Sequence, residues 1–248
     1  MCDLVHELVL RDLKLRYKRS FLGLAWSLLV PLAQMAVLYV VFRHLLPLNI
    51  PAFTTFLLTG ILPWTWFQGS LLAASGAIAN NREVVRQVGF PVAVLPAITV
   101  ISQLIHFLLA MPVLLVFLLL DGYGFSLAMA ALPVVILVQF ALTLGLAYIA
   151  AALQVTFHDT QYLTGIVLFL LFYLTPVFYD DSQIPANFQT LYRLNPMVHL
   201  LGAYRAILTK GQLPSGPAML ALCIGAAASF ALGYFIFVRA RDRFVEEI

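Results

Sequence analysis

"RDLKLRYKRSFLGLAWSLLVPL", residues 11–32, sets five cations (Arg11, Lys14, Arg16, Lys18 and Arg19) in nine positions and then turns almost wholly apolar. A basic segment running straight into an apolar one marks a chain entering a bilayer, because lysine and arginine resist hydrocarbon and hold the end of a span at the headgroups. At 3.6 residues per turn, Glu7, Arg11, Lys14 and Lys18 form one stripe, while Val5, Val9, Leu13 and Tyr17 line another face. Residues 4–19 are therefore predicted to be an amphipathic helix lying along a membrane interface. Glu7 with Arg11 and Asp12 with Arg16 add favourable pairs one turn apart. The cations can meet anionic headgroups, each worth about 1 kcal/mol near the surface. The same charges also serve as a topology anchor, so a role toward substrate or partner is a further expectation.

Working outward, the whole chain has this character. Of 248 residues, 62% are hydrophobic and 10% charged, whereas soluble domains carry roughly 25% charge. This composition predicts an integral membrane protein. A hydrocarbon core of about 30 Å needs roughly 20 apolar residues per helix, and runs of that kind recur between short polar breaks. The short alternating segments of a β-barrel are missing. About twenty mixed-charge residues precede the first apolar run, unlike a cleavable signal, so that run is expected to stay in the protein. Cys2 near the start and Cys223 inside an apolar run do not suggest a structural disulfide.

Spans are predicted near 24–46, 53–78, 95–120, 127–156, 162–179 and 217–238. Six spans put both termini on one side. If that side is cytoplasmic, ten cations lie inside and four outside (Arg43, Arg193, Arg205 and Lys210), the asymmetry the positive-inside rule requires. The expected fold is thus an all-α membrane protein: one transmembrane domain over 1–248, six transmembrane helices, an N-terminal interface helix (1–22) and two short re-entrant helices before the last span.

Two connections stand out. "NNREVVRQVGFP", residues 80–91, is the one substantial loop on the inner side. Asn80 or Asn81 is expected to cap a short helix that Gly89 and Pro91 end. This compact knob (79–91) suits an ordinary hairpin connection or a docking surface for a cytoplasmic partner. "TPVFYDDSQIPANFQTLYRLNPMVHLLGAYRAILTKGQLPSGP", residues 175–217, is long for a loop yet too aromatic for a solvated linker. Pro185 and Pro196 suit first helical positions, with Asn195 as a cap. Helices at about 185–194 and 196–209 are too short to span, so they are expected to fold back from the outer side, within 180–214, as a movable plug or a static cap.

The chemistry-bearing residues narrow the class. No phosphate-binding glycine loop ending in Lys-Ser/Thr occurs, so nucleotide hydrolysis by that route is excluded. His6, His44, His106, His158 and His199 lack metal-ligand spacing. Gln103 and His106 share the third span, where a neighbouring helix can satisfy them. All eleven carboxylates fall in termini or loops, leaving proton or sodium coupling without a carrier. His158-Asp159 is the one adjacent His-Asp pair and suits a span boundary better than an intramembrane acyltransferase. Aromatics gather at Tyr39 and Phe42, at Trp64, Trp66 and Phe67, and at Phe169, Phe172, Tyr173, Phe178 and Tyr179. Interfacial belts account for many of them. Aromatic faces also stack on the C–H faces of sugars, which suits a sliding glycan.

The ordered combination of R-D-L-K-x-R-Y-K-x-S-x-L-G-x-x-W at Arg11 to Trp26, six spans, the knob and L-N-P-M at Leu194 to Met197 resembles the permease subunit of type-2 ABC exporters. More narrowly, it resembles those exporting O-antigen, teichoic acid or similar polysaccharides. The resemblance implies a homodimer in the bacterial inner membrane, working with two ATPase subunits that bind ATP and Mg, and moving a polyprenyl-diphosphate-linked glycan. No cofactor in this chain and no nucleic acid are implied. It further implies that the N-terminal helix and the knob, with Arg82, Glu83, Val84 and Arg86, contact the ATPase. Arg16, Lys18 and Arg19 beside Leu22-Gly23 would then meet the lipid diphosphate, since arginine offers paired donors to phosphate. Tyr39, Phe42, Tyr173, Phe178 and Tyr179 would line the channel. A rival keeps the exporter and changes the cargo to a drug or simple lipid.

Overall fold

Apolar runs fold as helices in hydrocarbon because each segment must satisfy its own backbone. A computed structural model describes residues 7–12, 14, 23–45, 48, 50–87, 89–181 and 184–247, and every regular element among them is helical. Residues 7–12 belong to α1. A 3-10 turn, Gly23–Ala25, opens α2 (Trp26–Val40), which widens into a π turn at Val41–Leu45. There follow α3 (Phe53–Ser75), a 3-10 turn and short α4 (Arg82–Val85), α5 (Val94–Leu120), α6 (Leu132–Thr156) and α7 (Thr160–Leu174). The chain ends with α8 (Gln189–Arg193), α9 (Pro196–Leu208) and α10 (Gly216–Glu247).

Among the described residues, four stretches are long and apolar enough to cross a membrane: Trp26–Leu45, Val94–Leu120, Leu127–Thr156 and Gly216–Arg241. The other two expected spans differ from these for separate reasons. Helix α3 has the length, at 23 residues, but carries Thr55, Thr59, Ser70 and Ser75. It is the most enclosed helix, and its hydroxyls turn onto its own backbone or a neighbour: Thr59 donates to the Phe56 carbonyl at 2.7 Å, Ser70 to Trp66 at 2.7 Å and Ser75 to Leu71 at 2.9 Å. Self-bonding of this kind lets a mixed sequence sit inside a bundle without unpaired polar groups. Thr55 instead donates to Asp121, tying the start of α3 to the end of α5. Helix α7, with 15 residues, rises only about 22 Å, less than a bilayer core.

The bundle closes where α6 meets α10. A Cβ on Gly233 would lie 2.0 Å from the Gly145 carbonyl oxygen, and one on Gly145 would lie 2.4 Å from Ser229. Small residues bring these backbones together, as they do between helices that lack a hydrophobic drive to associate.

Three local expectations are refined. The knob is a 3-10 turn over Ala79–Asn81 followed by the single turn of α4, and it ends before Gly89 rather than at it. Asn81 stands at the N-cap, but its amide donates back to the Ala77 carbonyl at 2.8 Å instead of capping. Pro185 precedes its helix, its carbonyl accepting from Phe188 at 3.0 Å. By contrast, Asn195 caps α9 as its sequence suggests, accepting from the Met197 amide at 3.0 Å with Pro196 in the first turn.

Candidate functional site

The candidate residues within the described part of the chain gather at opposite ends of the bundle, one marked by α4 and the other by α8. At the α4 end, Val9 of α1 is buried against Val94 and Ile98 of α5, with Leu8 beside it. Of the apolar face predicted for the N-terminal helix, Val9 is the member within the described residues, and it rests on protein. Glu7, Arg11 and Lys14 remain exposed. The knob is pinned by buried Val85, which leaves Arg82, Glu83 and Arg86 exposed and Val84 half-buried. Residues of α1 and of the knob share the walls of one small cavity of about 80 Å³, lined by Arg11, Asp12, Ala77, Asn81 and Thr99 among others. The turn between α6 and α7 closes this end. Gln154 donates to the His158 carbonyl at 2.7 Å and accepts from the Gln161 amide at 2.6 Å, so His158 and Asp159 stand in a built turn. Gly23 opens the turn before α2 with φ +49°, a left-handed conformation suited to glycine. Arg16, Lys18, Arg19 and Leu22 lie outside the described residues.

At the α8 end, the π turn presents Phe42 toward the segment that follows α7, and π turns often mark functional positions. The Phe42 ring stacks on Phe178 at 5.0 Å and 14°. Phe178 in turn meets Tyr179 at 5.2 Å, Phe172 at 5.8 Å and Tyr173 at 6.1 Å. Phe42, Phe178 and Tyr179, with Phe188, Tyr192 and Asn195, line a cavity of about 690 Å³. Of the five aromatics predicted for the channel, four thus join one array. Tyr39 does not: it packs on Phe53 at 6.4 Å and on His44 at 5.9 Å.

Polar side chains frame this cavity. Tyr192 donates to Asp181, and burial followed by that bond holds its phenol above the ordinary range. Tyr179 donates to the Tyr173 carbonyl at 3.2 Å, and Tyr192 is a neutral donor near pH 7. Asn195 donates through Nδ2 to Thr175 Oγ1 at 2.8 Å while its oxygen caps α9.

Sequence reasoning gave no role to Arg205, which it counted only among the four cations of the outer side. The residue is 8% exposed and sits inside α9. Its guanidinium carbon lies 3.6 Å from the centre of the Phe56 ring, and Nη2 donates to the Val177 carbonyl at 3.1 Å. A cation inside "MVHLLGAYRAIL" was the available signal, since such a residue on an apolar helix finds a partner within the fold.

Between the two ends, Gln103 and His106 lie 3.2 Å apart, Oε1 to Nδ1. With Trp26, Ser27, Thr65 and Trp66 they line a cavity of about 420 Å³ between α2, α3 and α5.

A helical bundle with membrane-length apolar helices, an exposed charged knob at one end and an aromatic cavity at the other is the body of a membrane permease. The chain belongs to the ABC-2 type transporter family, whose model matches residues 4–209. It is 37% identical over 247 residues, 99% of this chain and 95% of the relative, to the O-antigen export system permease protein RfbA of Myxococcus xanthus. A Klebsiella pneumoniae protein of the same name is 32% identical over 85% of this chain and 82% of its own. The polysialic acid transport protein KpsM of Escherichia coli is 23% identical over 96% of this chain and 93% of its own.

Proposed function

We propose that this chain is the channel-forming subunit of an ATP-driven exporter that moves polyprenyl-diphosphate-linked polysaccharide, of O-antigen or teichoic-acid type, across the bacterial inner membrane. The observation that carries the reading is the aromatic cavity of about 690 Å³ beside the Phe42–Phe178 stack. Aromatic faces with a few neutral hydroxyls grip sugar rings without fixing their register, which a chain sliding through requires. Membership of the ABC-2 type transporter family and the polysaccharide-export relatives support the same reading.

In this account the chain forms a homodimer with two ATPase subunits that hold ATP and Mg, and it crosses the membrane six times with both termini in the cytoplasm. The α4 end faces the ATPase: Arg82, Glu83, Val84 and Arg86 on the knob, together with α1, receive its motion. Arg16, Lys18 and Arg19, beside Leu22 and Gly23, orient the lipid diphosphate at headgroup depth. The α8 and α9 segment folds back from the outer side as the gate. ATP-driven closure of the partners moves the two permease copies as rigid bodies, and the path opens at alternate ends. The α4 end is small and charged, as a docking knob must be, and the cavity lies at the far end, where cargo leaves.

The test is genetic and chemical. Deleting the chain should abolish surface polysaccharide and accumulate its lipid-linked precursor, and restoring the chain without its ATPase should not reverse this. Normal surface polysaccharide in the deletion strain would defeat the reading.

A further inference from the structure

Arg205 is a charged group that the export reading leaves without work. Arginine does not lose its proton in proteins, so a full cation lies in the packed face of α9. Such burial is costly unless the charge is held by specific partners. Its direct contacts are the Phe56 face and the Val177 carbonyl, while Nε has no hydrogen-bond partner among the described residues; the Asp181 and Asp180 carboxylates act on it electrostatically as well. Gly60 of α3 makes the arrangement possible: a Cβ there would lie 2.7 Å from the Val177 oxygen and 3.1 Å from Nη2 of Arg205. Helical side chains lean toward the helix N-terminus, which directs Arg205 along α9 toward Asn195. Asn195 holds Thr175, two residues before Val177, through a hydrogen bond of 2.8 Å. The turn 175–177, buried throughout, is therefore gripped from both ends of one helix. Phe178, whose ring stacks on Phe42, follows directly.

We propose that Arg205 is the positioning residue of the aromatic gate: with Asn195 it clamps the 175–177 turn to α3 and α9, and thereby sets Phe178 against Phe42. The inference rests on the export reading for its consequence and on packing alone for its geometry. It divides the outer segment into two parts. Helix α9 and the 175–177 turn form a fixed strut, for nine of the thirteen residues of α9 are buried. Helix α8 is exposed at Gln189, Thr190 and Arg193, and it stands between the aromatic cavity and a second one of about 290 Å³ lined by Asp181, Gln189, Tyr192 and His199. Movement of the gate therefore belongs to α8.

The experiment places one cysteine at the clamp. In full-length chain assembled with its ATPase, Cys2 and Cys223 are replaced by serine and alanine, and V177C is introduced at a site now 0% exposed; A147C, likewise 0% exposed in α6, reports global loosening. A membrane-impermeant maleimide should label neither position in the parent. Adding R205M should raise labelling at 177 at least tenfold and leave 147 protected. Export should fall at least fivefold while ATP hydrolysis by the complex persists, and R205K should recover part of both readouts. Unchanged labelling at 177, equal exposure at 147, or no recovery by R205K would each overturn the clamp. Should R205M fail to accumulate, N195A and G60A each loosen the turn from another side, and unaltered labelling in both would overturn it equally. Labelling does not depend on cargo, so its failure strikes the clamp, whereas failure of the unaltered chain to export polysaccharide strikes the functional reading.

Discussion

The two ends of the bundle treat positive charge in opposite ways. At the α4 end, Arg82 and Arg86 stand in solvent on a one-turn helix held by the single buried side chain of Val85. At the α8 end, Arg205 is enclosed by α3 and the 175–177 turn and makes defined contacts. Exposed charges on a small knob add little to folding but give an approaching partner sign and orientation. A buried cation with fixed contacts does the reverse, setting the position of its own chain. On the proposed reading the α4 end receives the push, Arg205 and α9 hold the shape of the other end, and the body between must transmit motion without bending.

That contrast is most easily broken in the body. Gly233→Leu should force α6 and α10 apart, because the Gly145 carbonyl already fills the space a Cβ would take. A cost of about 3 kcal/mol or more should appear as loss of folded protein in membranes, with both ends failing together. Normal accumulation would show that the seam is not what joins them. Next in size, R82E/R86E should weaken association with the ATPase roughly tenfold, more at low salt than at high, and leave the V177C site protected; pull-down across a salt series checks this. Phe178→Ala should remove a ring stack worth about 1 kcal/mol and lower export severalfold with ATPase association intact, measured as surface polysaccharide per assembled complex. The smallest effect is expected for Val85→Ala, which loosens the knob by about 1 kcal/mol and should slow export stimulated by ATP without altering the outer cavity.

Some helical boundaries were legible because apolar runs and cap residues act locally, whereas α7 stops at Leu174 rather than 179 and α10 runs on to Glu247 rather than 238. The Asn195-Pro196 start of α9 and the apolar stretches of α5, α6 and α10 could be read residue by residue. What could not be read is which helix the others surround. Helix α3 is the less apolar one, yet it is central, since its threonines and serines bond near at hand and leave it free to be enclosed. The aromatic array was legible as a cluster but not in its membership. Tyr39 and Phe42 are three residues apart and would share a face on a regular helix, but the π turn from Val41 separates them. Arg205 was misread because its partners, Val177 and Phe56, lie 28 and 149 positions earlier, and nothing in the neighbouring residues reports them.

The central claim is that the chain is a conduit whose motion comes from a nucleotide-hydrolysing partner acting at the α4 end. The most direct measurement uses vesicles that contain the purified chain, lipid-linked glycan and ATP, with and without the ATPase subunit. Glycan should cross only when both proteins and ATP are present, and R82E/R86E should lower that crossing by weakening the partner's engagement, with recovery at high ATPase concentration. Accumulation of glycan against its gradient by the chain alone would contradict the account.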